Sequence, residues 1–183
     1  TVAEIDPSVT EIAVKEFWLD PDSVTIQSMD ARRALHSASR KFHVVVGDAF
    51  TDIAVPPHLV TREFFMLVHS RLSKDGVYVM NVVDDANRGL ALSAIASTLR
   101  TIFKHVEVFA ESADLQAGGR TTFVVIAAAT SSGTQYLQES SEQNRRFVNL
   151  NQSNWFDKLM SGDQVILTDD YAPIDRLIGL DAM

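Results

Sequence analysis

The chain has 183 residues, enough for one domain with a small appendage, and it is 46% hydrophobic and 22% charged, which excludes a disordered polymer. Its net charge of -8, with Lys and Arg scattered, leaves no basic face to neutralise phosphates, so nucleic acid is not an expected partner and a cationic ligand is. Without cysteine it has no disulfides, thiolate metal sites or Cys nucleophiles, its apolar runs fall short of the ~20 residues that cross a bilayer, and a cytoplasmic setting is expected.

Residues 2–5 read as the end of a buried strand, followed by Asp6 as a helix cap and Pro7 at the first helical position. Val9, Ile12, Ala13 and Phe17 have helical spacing, and Asp20-Pro21-Asp22 stops that helix. A strand over 23–28 precedes a short helix capped by Asp30. Residues 42–46 are β-branched and apolar, as in a buried parallel strand, and end at Gly47-Asp48. Past Pro56-Pro57, residues 59–72 form an amphipathic helix, 73–76 a turn and 77–83 a second buried strand. A loop from Asp84 to Gly89 leads into a helix carrying Leu92, Ile95, Leu99, Ile102 and Phe103. Strands over 106–110 and 122–129 read as an antiparallel hairpin with Gly118-Gly119 as its turn. The tail is expected to be helical over 137–147 and 154–159 and to close with the segment 167–173.

Alternating strands and helices predict an open α/β sheet with helices on both faces, whose ligands bind beyond the carboxyl ends of the strands. Those ends carry carboxylates: Glu4 and Asp6, Asp30, Asp48, and Asp84 with Asp85. Asp6 is better explained as a cap. Glu4 has the position of an acceptor for ribose hydroxyls. Asp30 is either a cap or an acceptor for a purine amine. Asp48 ends a strongly apolar strand, where a carboxylate costs desolvation unless it is used or paired; it suits an ammonium group and its proton. Asp84 and Asp85 either form a solvated loop or join such a cation site. The five histidines are dispersed, with no metal-site spacing and no nucleophile elbow. Phe64-Phe65 and Trp155-Phe156 read as core.

Ala3-Glu4-Ile5-Asp6-Pro7, Met29-Asp30-Ala31-Arg32 and Val45-Val46-Gly47-Asp48-Ala49-Phe50 follow one another in the order of motifs of the spermidine synthase (polyamine aminopropyltransferase) family, which the chain resembles. The run from Pro57 to Phe65, with Leu72 to Asn81 after it, resembles the family's following helix and strand, and Leu167 to Pro173 resembles the closing segment of its bacterial spermidine synthase-like branch, some members of which are fused to membrane domains. The resemblance implies a Rossmann-like, class I methyltransferase-like fold. It implies aminopropyl transfer from decarboxylated S-adenosylmethionine, as co-substrate, to putrescine or a similar amine, with no metal and no prosthetic group. It implies that Glu4 holds the ribose, Asp30 the adenine amine, and Ala31 a backbone contact to the ring. It implies that Asp48 orients and deprotonates the attacking amine, with Asp52 and Asp84 as further amine contacts, and that a homodimer is the expected assembly.

The chain departs from the family pattern in two places. Thr51 stands where polyamine synthases carry a second Asp, and Ile53-Ala54-Val55-Pro56-Pro57 replaces a Pro-Gly-Pro-like run. Nothing matches the family's first strand, its glycine-rich loop or its N-terminal hairpin domain, and no Gly precedes Gly47. In that fold the first strand lies between the strands ending at Glu4 and Asp48, and each unpaired buried backbone group costs about 1–3 kcal/mol. The expectation is therefore a partial catalytic domain over 1–183, with 134–183 as a helical extension. It is either a piece of a longer protein or a chain whose two flanking strands have paired directly, and in both cases it lacks the cradle for the methionine-derived tail. The competing readings are an S-adenosylmethionine-dependent methyltransferase and a non-catalytic, degenerate binding module.

Overall fold

A computed structural model describes residues 1–49, 55–140 and 144–178, which fall into two compact units, residues 1–41 and 42 onward. In the first unit, β1 (Val2–Ala3) and β2 (Ile26–Gln27) pair in parallel, Val2 opposite Ile26 and Ala3 opposite Gln27. Two helices follow the strands. Asp6 caps α1 (Pro7–Glu16) by accepting the Ser8 N–H at 2.8 Å, and Asp30 caps α2 (Ala31–Ser37) by accepting the Arg33 N–H at 3.0 Å. The strand expected over 23–28 is reduced to the two residues of β2.

The second unit is built on a mixed sheet. Its strands are β3 (Phe42–Gly47), β4 (Leu72–Asp85), β5 (His105–Glu111), β6 (Arg120–Ala128), β7 (Tyr136–Gln138) and β8 (Arg146–Asn149). Their order is β3-β4-β6-β5-β8-β7, with β3 parallel to β4 and every other pairing antiparallel. The helices are α3 (Arg62–Arg71), α4 (Leu90–Arg100), α5 (Ser112–Ala117), α6 (Asn154–Met160) and α7 (Ile174–Ile178). The hairpin expected from β5 and β6 is present, with the short helix α5 inserted before Gly118 and Gly119, both at positive φ.

Alternation along β4 determines where the core lies. Tyr78, Met80, Val82 and Asp84 are buried, and the register stacks Tyr78 with Ala127 and Val106, Met80 with Val125 and Val108, and Val82 with Phe123 and Ala110. Helices cover this face. Phe65 of α3 sets its ring 5.8 Å from that of Tyr78, and Asp84 reaches the backbone of α4. Helix α4 is buried from Ala91 to Leu99, and its small residues Ala91, Ser93, Ala94, Ala96 and Ser97 let β4, β5, α3, α6 and α7 approach it. The opposite face is less covered: on β3, Val44 and Val46 are 53% and 66% exposed.

Two expectations change. The region 137–147 is not helical: β7 and β8 pair with each other, and β8 continues the sheet along β5, with Val148 opposite Ala110. Pairing with that edge satisfies the backbone of β5, which local helical propensity would leave open. The turn expected over 73–76 is also absent. β4 runs straight through it, and a register shift against β3 between Phe42 and Val44 absorbs the extra residues. β1 belongs to the two-stranded sheet of the first unit and β3 to the six-stranded sheet of the second.

Gly47 is required where β3 ends. A Cβ there would overlap the Oη and Cζ of Tyr78, whose ring is packed in the core. We expect Gly47→Ala to cost about 1–3 kcal/mol through displacement of that ring, read as a lower midpoint of urea unfolding. An unchanged midpoint would show that Tyr78 has room to move.

Candidate active site

Each parallel strand pair presents polar groups at its carboxyl end. In the first unit, Glu4 directly follows β1 and Asp30 lies three residues past β2, so the two carboxylates sit at the same end of one pair. Glu4 is half-buried, and its Oε1 accepts the Asp6 N–H at 2.8 Å, which folds the strand end back before α1 begins. Asp30 spends Oδ1 on the first turn of α2, and Ala31 is the first residue of that helix.

In the second unit, Asp48 follows β3 and its carboxylate is exposed. The register that sets Gly47 opposite Met80 brings Asp48 beside Asn81 of β4, and the Asn81 Nδ2 donates to Asp48 Oδ1 at 2.9 Å. The Asn81 Oδ1 is buried and accepts no hydrogen bond among the described residues. A carboxylate held by one amide and open to solvent can bind a cationic group and take a proton from it. Asn81 escaped the sequence reading. Its signal was a lone amide inside the apolar run Val77-Tyr78-Val79-Met80-Asn81-Val82-Val83.

Asp84 is not part of this arrangement. It lies three residues beyond Asn81, on the helix-covered face of β4, and is 2% exposed. Its Oδ1 accepts the Asp85 N–H at 2.8 Å and its Oδ2 the Leu92 N–H at 2.8 Å. The residue thus fixes the start of α4, which opens from Gly89 at φ 57 without a side-chain cap of its own. With both oxygens engaged and buried, it cannot receive a substrate amine, which corrects the expected role. Asp85 accepts the Asn87 N–H at 2.7 Å and shapes the loop. Asp52 lies outside the described residues. Trp155 stacks on Phe123 at 5.6 Å and donates to the Ala86 carbonyl at 3.0 Å, while Phe65 and Phe156 are core residues. Among the described residues no group of three or more His, Asp or Glu is arranged to hold a metal ion, and no helix is long and apolar enough to cross a membrane.

The closing segment is tied down at several points. Leu167 donates its N–H to Thr98 Oγ1 at 2.9 Å and accepts the Arg62 N–H at 2.8 Å. Asp169 Oδ1 accepts from Thr61 Oγ1 at 2.7 Å, and the Asp169 N–H donates to Glu63 Oε2 at 3.0 Å. This motif therefore secures the N-terminus of α3.

No family model matches the chain. Over 199 residues it is 27% identical to a probable polyamine aminopropyl transferase of Bifidobacterium longum, covering 97% of this chain and 43% of that protein. It is 38% identical over 84 residues to the polyamine aminopropyltransferase of Vibrio vulnificus (44% of this chain, 28% of that protein). It is also 32% identical over 138 residues to an N-terminal histidine N-methyltransferase of Emericella nidulans (73% of this chain, 24% of that protein). The chain thus spans less than half the length of each of these relatives. Among solved structures, a probable spermidine synthase from Corynebacterium glutamicum superposes with a TM-score of 0.67 at 22% identity, over 90% of this chain and 61% of that one. The sequence relatives bear out the spermidine synthase-like resemblance, and the structural neighbour bears out a Rossmann-like, class I methyltransferase-like fold.

Burial raises the Asp84 pKa above its usual 3.8, against the lowering effect of its backbone hydrogen bonds. A raised acid favours the folded state below 3.8 and loses that contribution as pH climbs through the folded pKa. We expect Asp84→Ala to cost about 1–3 kcal/mol by stranding the Leu92 and Asp85 N–H groups. The cost should shrink from about pH 4 to pH 7, because only the wild type carries the buried charge. Urea unfolding of both proteins across that range checks the sign, and a cost that grows with pH would contradict it.

Proposed function

We propose that this spermidine synthase-like chain belongs to a transferase that moves an aminopropyl group from decarboxylated S-adenosylmethionine to putrescine or a similar amine. The observation that carries the reading is the exposed Asp48 carboxylate at the end of β3, held at 2.9 Å by Asn81 beside an unpartnered amide oxygen. Asp48 accepts a proton from the ammonium and directs the freed lone pair. The nitrogen forms a bond to the aminopropyl carbon while the carbon–sulfur bond breaks, and the electron pair stays on sulfur as a neutral thioether. A sulfonium leaves readily, so the protein has mainly to neutralise and position the amine. Asn81 is a positioning residue: its Nδ2 orients Asp48.

In the same proposal Glu4 receives the ribose hydroxyls, and Asp30 with the Ala31 backbone receives the adenine. Their support is the resemblance and their shared place at the carboxyl end of β1 and β2. No metal or prosthetic group takes part, the setting is cytoplasmic, and the full-length protein assembles as a homodimer.

The similarity to a histidine N-methyltransferase favours a second reading, methyl transfer from S-adenosylmethionine. Calorimetric titration of the full-length protein separates the two. We expect tighter binding of decarboxylated S-adenosylmethionine, and preference for S-adenosylmethionine would select the methyltransferase. Asp48→Asn should lower kcat by about 10²–10⁴-fold with little change in donor affinity. Asn81→Leu should lower kcat by about tenfold, with partial recovery in Asn81→Gln. Turnover by Asp48→Asn within a few fold of wild type would remove the proton-accepting role.

A further inference from the structure

The sheet end away from Asp48 carries a recess of about 460 Å³. Its floor is the start of β5, where His105 lies opposite Ala128, which in turn lies opposite Val77 of β4. Asn81 is four residues further along β4, so about 13 Å of strand separates the recess from the level of Asp48. One wall is basic: Arg100 ends α4, Lys104 follows in the link to β5, and His105 begins the strand. The Arg100 guanidinium lies 5.1 Å from the centre of the Phe156 ring, and none of these three side chains joins an ion pair among the described residues.

Another part of the lining is preorganised. Glu107 is buried, and its carboxylate accepts the Ser132 N–H at 2.9 Å, Ser132 Oγ at 3.1 Å, Ser131 Oγ at 3.2 Å and Asn149 Nδ2 at 3.4 Å. These bonds hold the 131–135 segment in place, and Asn149 secures it again through the Thr134 carbonyl at 3.1 Å. The amides of Gln135 and Gln152 also line the recess.

We propose that this recess binds a small phosphate monoester with a hydroxyl-bearing body. Arg100 and Lys104 supply two positive charges against the one negative charge of Glu107, so the lining is net cationic toward a phosphate that carries roughly -1.5 to -2 near pH 7. The volume exceeds what a phosphate fills and lies in the range of small-molecule sites, about 300–1,000 Å³. The remaining space is faced by amide and hydroxyl groups, which hydrogen-bond to a hydroxylated body rather than to an apolar one.

The test is titration of ribose 5-phosphate into the full-length protein, followed by calorimetry and by the His105 ring signals in NMR, with ribose and inorganic phosphate as controls. We expect ribose 5-phosphate to bind and to shift His105, inorganic phosphate to bind more weakly, and ribose not to bind. The double variant Arg100→Gln, Lys104→Gln should lose at least about tenfold in affinity while keeping its urea midpoint. If the double variant fails to fold, the single Lys104→Gln, at an exposed position, carries the same expectation. Absence of binding by both phosphate compounds at about 10 mM, equal affinity in a folded variant, or equal affinity for ribose would each overturn the proposal.

Discussion

Strand β4 is paired on both edges, parallel to β3 and antiparallel to β6, and its alternation has to serve two different faces at once. One set of residues, Tyr78, Met80, Val82 and Asp84, must be dry enough to seat the helices. The other set, with Asn81 among it, lies on the face where Val44 and Val46 of β3 remain exposed. Because side chains alternate with period two, a slip of one residue would send Asn81 into the core and Asp84 toward solvent. The position of Asp48 therefore depends on the register between β3 and β4, and that register depends on the bulge near Phe42 and on Gly47 fitting over Tyr78.

The carboxylates at the strand ends share a chemical type and divide by what their oxygens meet. Asp6, Asp30 and Asp84 accept backbone N–H groups at or near helix starts, where orphan donors and the helix dipole favour an anion. For Asp84 this service comes with burial, and the desolvation of its charge outweighs the hydrogen bonds it accepts. Asp48 accepts from a side-chain amide and remains in contact with solvent. That difference in surroundings separates Asp48, the candidate for proton transfer, from the buried anchor Asp84.

The closing segment shows the same economy of polar groups. Thr61 and Glu63 meet Asp169, Thr98 meets the Leu167 N–H, and Thr168 pairs with Tyr171 through backbone hydrogen bonds. Tyr78 marks the opposite limit: its phenol, pushed up by burial, stays neutral and serves packing alone.

Much was readable from residue order. The β-branched run before Gly47 announces β3, the spacing from Leu92 to Phe103 announces α4, and Asp6 and Asp30 announce helix starts, because each signal is local. The pairing of β7 and β8 was hidden, since two short segments of mixed polarity become strands only when β8 meets the open edge of β5 and β7 pairs with β8. The roles of Asp84 and Asn81 were hidden for a related reason. Composition places an acid and an amide near a strand end, but which of them meets a helix and which meets Asp48 is decided by the sheet's two faces, and the Asn81–Asp48 contact joins residues that lie 33 apart in the chain.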